Sequence, residues 1–395
     1  MKKPWVLFCV FIIHDSCIDR LGITVPNASL QLVVDGAITD APGPYTVKLS
    51  RTRRLADFAA PPTVLAKSVT IFDNEGNSEI LTETTTDVFQ TSPTGMRGAI
   101  GKEYFVRIEM HDGKVYESIP EKIRPPGTVD SIYYEFQTKV SEKGIANYYF
   151  RIFMNSHGEP EGENYFLWKL TGTYRVLTSP DLHIIFESSP GGLVIIPDPR
   201  PCSGAVFIKK TGEILYPNPC ECCQCWADLV GEKPNVSDNY IVDNGKFNKV
   251  DMGIIPVEFW PFWDKTLVKA EQLSLSKSAF DYWRTVQDQK EGATSLFQPA
   301  IGKAISNIFS KDGNEEVQGF FYASAISKKT LFLTSKDIPK GAAVIPPPPG
   351  LPPRYTPRAG EDPSLLKFYS EPFVVRESCL LAFKHSTTQK PIDWK

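Results

Sequence analysis

The sequence has few of the residues that metal centres and nucleic-acid-binding surfaces need. Its 395 residues include five His, and 43 Lys and Arg oppose 46 Asp and Glu, which gives a net charge of −3. A charge so close to balance argues against the strong basic field with which proteins hold nucleic acid. We therefore expect no nucleic-acid partner and no His-based metal centre.

Sequence motifs of the common enzyme classes are absent as well. The chain contains no G-x-S-x-G turn, no H-E-x-x-H motif and no phosphate-binding loop of the G-x-x-x-x-G-K-[ST] or G-x-G-x-x-G type. These motifs place a nucleophile, a metal or a row of backbone N–H groups where the chemistry requires them. The sequence therefore predicts no catalytic residue and no cofactor.

The apolar run at the start of the chain is too short to cross a bilayer, which takes about 20 residues. It covers Pro4–Ile13 and follows Lys2 and Lys3. A basic start and a short apolar run are typical of a secretory signal peptide. The run leads to Cys17, placed like the Cys that becomes diacylated in bacterial lipoproteins. We predict a signal peptide over 1–16 and acylation of Cys17; the alternative is an ordinary thiol in an uncleaved or differently cleaved leader.

Glycine and proline are abundant and separate short alternating segments. The chain has 27 Gly and 33 Pro, a composition that suits a β protein with many turns. Leu30–Asp35 and Tyr45–Ser50 alternate with period two, as half-buried strands do, and the turn between them predicts a hairpin. Six or seven such segments, about ten residues apart, predict an immunoglobulin-like β-sandwich over 29–125.

The remainder of the chain predicts a larger β-rich domain with one prominent helix. The helix is expected at Ser276–Lys290, where Phe280 and Trp283 belong to an apolar stripe at helical spacing. Val257–Trp263 is expected to be a strand, and 188–239 an irregular stretch. The predicted organisation is a signal peptide 1–16, a lipidated tether 17–28, the sandwich 29–125, and a C-terminal domain 126–395 with a Cys-rich loop 200–226 and a Pro-rich loop 339–363.

Six cysteines besides Cys17 follow the leader. They are Cys202, Cys220, Cys222, Cys223, Cys225 and Cys379. An even number of cysteines in an exported protein favours disulfides, and six allow 15 pairings. A zinc site is the sharper alternative, because C-x-x-C spacing occurs twice, but a structural zinc site takes two well-separated pairs. Free or mixed thiols are the remaining possibility.

An aromatic group lies next to two acidic residues. The group consists of Phe259, Trp260, Phe262 and Trp263, between Glu258 and Asp264. Core packing in a β domain is the preferred interpretation. The alternative is a sugar or peptide site in which Trp260, Phe262 and Trp263 contact a ligand or partner. A glycosidase carboxylate pair at Glu258 and Asp264 has weak support, because the two lie far apart along a strand.

A series of segments, taken in order, resembles a known family. The series is the lipoprotein-like leader, Leu32–Thr52, Gly101–Ser118, Pro125–Glu135, Leu273–Gln289, Val317–Leu333 and Lys390–Trp394. It is similar to the outer-membrane lipoproteins of Bacteroidota grouped as domain of unknown function 4249. The sequence departs from the family in two places: His14 stands where lipoproteins usually carry an aliphatic residue, and Cys220–Cys225 is unusually rich in cysteine.

The resemblance implies an exported lipoprotein with an N-terminal β-sandwich that associates with TonB-dependent outer-membrane transporters carrying a carboxypeptidase-regulatory-like domain. It brings no catalytic residues. We therefore expect a non-enzymatic protein, held in the outer membrane by acyl chains at Cys17, that is an accessory or substrate-capturing partner of such a transporter. Two alternatives remain: a free-standing adhesive or structural surface protein, and a glycan or peptide hydrolase.

Overall fold

The computed structural model describes residues 30–53, 62–160, 162–231, 234–238, 245–292, 302–342 and 375–395. The predicted signal peptide 1–16, the tether 17–28 with Cys17, and the Pro-rich loop from residue 343 onward lie outside the described residues.

Most of the described chain forms β-strands, as expected. Nine strands precede residue 125: β1 (Leu32–Thr39), β2 (Thr46–Arg51), β3 (Ala66–Asp73), β4 (Ser78–Ile80), β5 (Thr82–Thr85), β6 (Val88–Gln90), β7 (Glu103–Met110), β8 (Val115–Ser118) and β9 (Glu121–Lys122). The strands that follow are β10 (Thr128–Val140), β11 (Ala146–His157), β12 (Tyr165–Leu177), β13 (Ile184–Ser189), β14 (Gly192–Pro197), β15 (Val206–Ile208), β16 (Glu213–Leu215), β17 (Gln224–Val230), β18 (Asn235–Asp238), β19 (Lys246–Pro256), β20 (Lys265–Ser274), β21 (Ile308–Ser310), β22 (Gln318–Ser324), β23 (Ile326–Thr334) and β24 (Ser386–Thr387).

Three α-helices accompany these strands in the described residues: α1 (Phe259–Trp263), α2 (Lys277–Gly292) and α3 (Cys379–Ala382). The prominent helix predicted from the apolar stripe is α2, which confirms that prediction. Short 3₁₀ turns occur at Pro180–Leu182, Pro201–Ser203 and Ser335–Asp337.

Two sheets enclose the N-terminal core. Their strand orders are β22-β1-β2-β6-β5 and β21-β8-β7-β3-β4, with β9 beside β7. Val34, Val47, Ile71 and Val106 are completely buried in one cluster, because alternate side chains of each strand point to the same face. Burial of these faces away from water drives the two sheets together. The immunoglobulin-like classification stays a prediction.

The chain returns to this core after residue 300. β21 pairs antiparallel with β8, and β22 pairs parallel with β1. Ile308 and Phe321 are buried among the residues of the first two sheets. A Cβ atom added to Gly319 would lie 1.9 Å from the carbonyl oxygen of Val34. Any side chain at this position would therefore prevent the pairing of β22 with β1. The sandwich thus includes strands that lie far beyond the predicted range 29–125.

Two further sheets pack together in the second half of the chain. One has the order β10-β11-β19, and the other has the order β23-β20-β12-β17-β24, with β18 also paired to β12. Phe150 and Ile152 of β11 and Val268 of β20 are fully buried between them. A separate apolar cluster joins α2 through Phe280 to β12, β20 and the outward face of β22. The sandwich and the second pair of sheets are therefore in direct contact.

Two element predictions were wrong. Phe259–Trp263 is the short helix α1 and not the end of a strand, because Pro261 lacks an N–H for a ladder and fits the first turn of a helix. The stretch 188–239 is not irregular: it contains the hairpins β13–β14 and β15–β16, the strand β17, which lies between β12 and β24, and β18.

Candidate functional site

A cleft lies where β12, β17, β19 and α2 meet. Two cavities, of about 860 and 430 Å³, share part of their lining and form this one cleft. The shared residues are Leu170, Val230, Gly231, Pro234, Asn235 and Met252. Cavities of this size suit a small organic ligand.

The cleft arises because β12 changes its partner. β17 pairs with Thr171–Leu177, whereas β18 pairs with Tyr165–Trp168. Lys169 and Leu170 lie between these two ladders and line the cleft. Helix α2 supports the edge of β18, because Gln287 Oε1 accepts a 3.2 Å hydrogen bond from the Val236 amide.

Lys169 marks the smaller cavity with a positive charge. Its Nζ donates to the Tyr322 hydroxyl at 3.1 Å, and the residue is exposed where it opens to the cleft. The partly negative Tyr322 oxygen raises the pKa of Lys169, against the opposing effect of burial, so the amine stays protonated. Lys169 makes no ion pair within the described residues, but Glu271, directly opposite it on β20, and Asp35 also raise its pKa.

Aromatic and charged side chains complete this end. Trp283 of α2 stands edge-on to the Tyr322 ring, with centroids 6.1 Å apart. Its Nε1–H is buried and has no hydrogen-bond partner among the described residues. Asp35 and Lys290 also line the smaller cavity. This end therefore offers N–H donors and aromatic surface.

Acidic residues line the larger cavity. Asp228 accepts a 2.5 Å hydrogen bond from Thr173 Oγ1 and has no ion pair within the described residues. Asp251 is neutralised by Arg151, whose Nε lies 3.0 Å from its carboxylate. Glu291 accepts from Gln287 at 3.3 Å. The larger cavity is acidic on balance.

Apolar side chains separate the two charged ends. Val230 lies opposite Thr171 on the face from which Lys169 and Asp228 project, whereas Leu170 and Leu229 point to the other face. Met252 and Ile255 of β19 also line the larger cavity. An arrangement of this kind can hold a ligand that has an apolar body and polar ends.

The six cysteines lie outside the cleft and form three disulfides, which confirms the preferred interpretation of their spacing. The pairs are Cys202–Cys222, Cys220–Cys223 and Cys225–Cys379. In these disulfides the six sulfurs are bonded to one another and are not the free thiolates that bind zinc. No group of three or more His, Cys, Asp or Glu that could hold a metal occurs in the described part of the chain.

The aromatic group at α1 does not line the cleft. Phe262 is 5% exposed and its ring lies 5.5 Å from that of Phe150, so it belongs to the core, as preferred. Trp260 is half-buried against Phe383, and Trp263 is 62% exposed. Asp264 pairs with Arg175 at 2.9 Å. A contact of Trp260 or Trp263 with a ligand or partner stays a prediction.

Sequence reasoning missed Lys169, Tyr322 and Asp228. Lys169 did leave a signal, because it is the single cation in the otherwise apolar run Tyr165–Leu170. A strand of that composition is expected to be buried, and a buried cation needs a partner. Its partner Tyr322 is too distant in the sequence for any local pattern to connect the two.

None of the helices in the described residues is long and apolar enough to span a bilayer. No curated protein matches the chain at a significant level.

The family model called domain of unknown function (DUF4249) matches residues 18–330, which is most of the chain. It covers the sandwich from β1 to β22, the cleft-lining strands β12, β17 and β19, and helix α2. The chain therefore belongs to the DUF4249 family.

Proposed function

We propose that this protein is an outer-membrane lipoprotein that captures a ligand for a TonB-dependent transporter and catalyses no reaction. The cleft is the observation that carries the proposal. Its cavities of about 860 and 430 Å³ have an apolar middle and charged ends, which is the form of a binding site.

The disulfides support export. Three of them form among the six cysteines that follow the leader. Disulfides persist in oxidising compartments such as the bacterial periplasm and the cell surface, and are rare in the cytosol. This agrees with a leader that ends at an acylated Cys17.

An exposed pair of hairpins supports contact with a partner. We call residues 184–216, which include β13–β14 and β15–β16, the double hairpin. Phe186 is 56%, Leu193 72% and Tyr216 62% exposed. Lys209 lies 3.9 Å from Glu187 and connects the two hairpins. Exposed apolar side chains in such a group are typical of protein–protein contact surfaces.

Acylation would explain how capture becomes transport. More than one acyl chain is needed for stable anchoring, and diacylation at Cys17 provides it. Confinement to the membrane raises the effective concentration of the bound ligand near the transporter. The partnership itself rests on the family resemblance and on the double hairpin.

An affinity purification from detergent-solubilised outer membrane tests this proposal. The tagged wild-type protein should bring down a TonB-dependent barrel in stoichiometric amount. The Cys17→Ala variant should leave the membrane fraction and bring down much less. Recovery of the wild-type lipoprotein alone would contradict the partnership and favour a free-standing adhesive role.

A further inference from the structure

Two charged side chains of the cleft have hydroxyl groups as their hydrogen-bond partners. Lys169 is held by the Tyr322 hydroxyl and Asp228 by the Thr173 hydroxyl. Within the described residues neither side chain makes an ion pair, whereas Asp251 in the same cleft is paired with Arg151. Hydroxyl partners fix the position of a charge and leave it able to attract an ion of opposite sign.

These two charges are separated by a defined length of sheet. Lys169 and Thr173 are four residues apart on β12, which is about 13 Å at roughly 3.3 Å per residue. Asp228 lies directly opposite Thr173 in the ladder. Lys169, Thr173 and Asp228 therefore project from the same face of the sheet.

The remaining charged residues of the cleft reinforce this polarity. Lys290 lies with Lys169 in the smaller cavity, and Glu291 lies with Asp228 in the larger one. Asp35 also faces the smaller cavity and opposes the two lysines in part. One end of the cleft is thus cationic on balance and the other is acidic.

We propose that the cleft binds a short peptide with free termini, its carboxylate at Lys169 and its ammonium group at Asp228. An extended peptide of about four residues spans the separation, at roughly 3.3–3.6 Å per residue. Its apolar side chains pack on Val230, which is 57% exposed and lies opposite Thr171, midway between Lys169 and Thr173 on the same face. The proposal rests on the ligand-capturing role proposed above and names its ligand class.

Other ligand classes match the cleft less well. A fatty acid carries one charge, so Asp228 would face its apolar chain without a counter-ion, which is costly. A neutral glycan offers neither terminus. Only a ligand with opposite charges at its two ends matches both Lys169 and Asp228.

Titration calorimetry with the detergent-purified full-length protein tests the ligand class. The probes are the tetrapeptide Ala-Leu-Val-Ala, its C-terminally amidated form, its N-acetylated form, and decanoate. The free tetrapeptide should bind, and each blocked form should bind about tenfold more weakly, because each lacks one charge-assisted contact. Absence of heat with every peptide, or decanoate binding as tightly as the free tetrapeptide, would overturn the proposal.

Two variants with matched controls locate the contacts. Lys169→Met should weaken binding of the free tetrapeptide about tenfold and leave the amidated form unchanged. Asp228→Asn should weaken binding of the free tetrapeptide about tenfold and leave binding of the N-acetylated form unchanged. Lys102→Met and Asp264→Asn are the controls, because these residues pair with Glu75 and Arg175 and do not line the cleft. Equal effects of the cleft variants on free and blocked peptides would contradict the assigned orientation.

This test is independent of the transporter purification. A protein that brings down the barrel but binds no peptide would overturn only the ligand class. A protein that binds peptide but brings down no barrel would overturn only the partnership. Melting temperatures of all variants, measured beside the calorimetry, identify any loss that comes from misfolding.

Discussion

Glu121 is a buried carboxylate that makes no ion pair within the described residues. It is 3% exposed, its Oε1 accepts a 2.8 Å hydrogen bond from Ser278, and its Oε2 has no partner in the described structure. Burial raises the pKa of Glu121, and the serine hydroxyls offset this only in part. Because the pKa is higher in the folded chain, the contribution of Glu121 to stability falls as the pH rises from the unfolded pKa to the folded one.

Glu121→Gln should therefore stabilise the protein at pH 7. We expect a gain of about 1 kcal/mol in the free energy of unfolding, because the variant removes a buried charge that lacks full hydrogen bonding. The advantage of the variant over the wild type should shrink as the pH is lowered from 7 toward the unfolded pKa, because Glu121 then becomes protonated in the folded chain. Urea denaturation of both proteins at pH 7 and at pH 5 measures this.

Glu117→Gln is the contrasting control at the residue scale. Glu117 is also buried, which raises its pKa, but hydrogen bonds from Lys311 and Arg107 lower the pKa below its usual value. This substitution should destabilise the protein at pH 7, because it leaves two cations without their shared carboxylate. Equal effects of the two substitutions would show that the charge environment does not decide the outcome.

At the scale of elements, the disulfides differ in what they constrain. Cys225–Cys379 connects β17 to the start of α3, and its two cysteines are 154 residues apart in the sequence. Cys220–Cys223 closes a short loop, because its two cysteines are three residues apart. The first also holds the C-terminal segment, whose Trp394 packs edge-on to Trp226 with centroids 6.4 Å apart. Long loops lose the most conformational entropy when they are closed.

The double variant Cys225→Ser with Cys379→Ser should lower the free energy of unfolding by about 2–4 kcal/mol. The variant Cys220→Ser with Cys223→Ser should lower it by less, because the loop it opens is short. Guanidinium denaturation without reductant measures both. A larger loss from the short loop would refute the constraint argument.

The sequence identified the elements whose side-chain pattern is local and clear. The alternation in Leu32–Thr39 and the apolar stripe of α2 each predict the observed element. β17 was missed because Cys225 and Ala227, which point into the core, do not look like an apolar strand face. α1 was mistaken for a strand because its aromatic residues suit both structures, and Pro261 decides between them.

The cleft could not be predicted, because it is assembled from distant parts of the chain. Asp35, Lys169, Asp228, Trp283 and Tyr322 come from five different elements, and each alone resembles an ordinary surface or core residue. The disulfides were expected, but their pairing depends on how the Cys-rich loop folds against β17 and α3.

At the scale of the whole molecule, the proposed role places the partner surface away from the ligand. Phe186 and Leu193 of the double hairpin lie on one face of β13–β14. Ser188 is two residues after Phe186 and so points to the same face, and Leu193 is directly opposite Ser188 in the ladder. Neither residue lines the cleft. Contact with a transporter through this face would leave the peptide site open.

Phe186→Asp combined with Leu193→Asp should reduce the amount of co-purified barrel at least about fivefold. The melting temperature should be unchanged, because both side chains are exposed and their loss opens no cavity. Ile145→Asp is the control, since Ile145 is equally exposed at the turn between β10 and β11. An equal loss with the control would show that any added surface charge disturbs the complex.

The parallel pairing of β1 with β22 also sets the order in which the chain can fold. Val33 pairs with Gln318, so β1 gains this neighbour only after the nearly 300 residues between them have been synthesised. Contacts between residues so distant in sequence form slowly, because a very long loop must close first. Until β22 is in place, the unpaired edge of β1 can pair with other chains, so this edge is a site of aggregation while the chain folds.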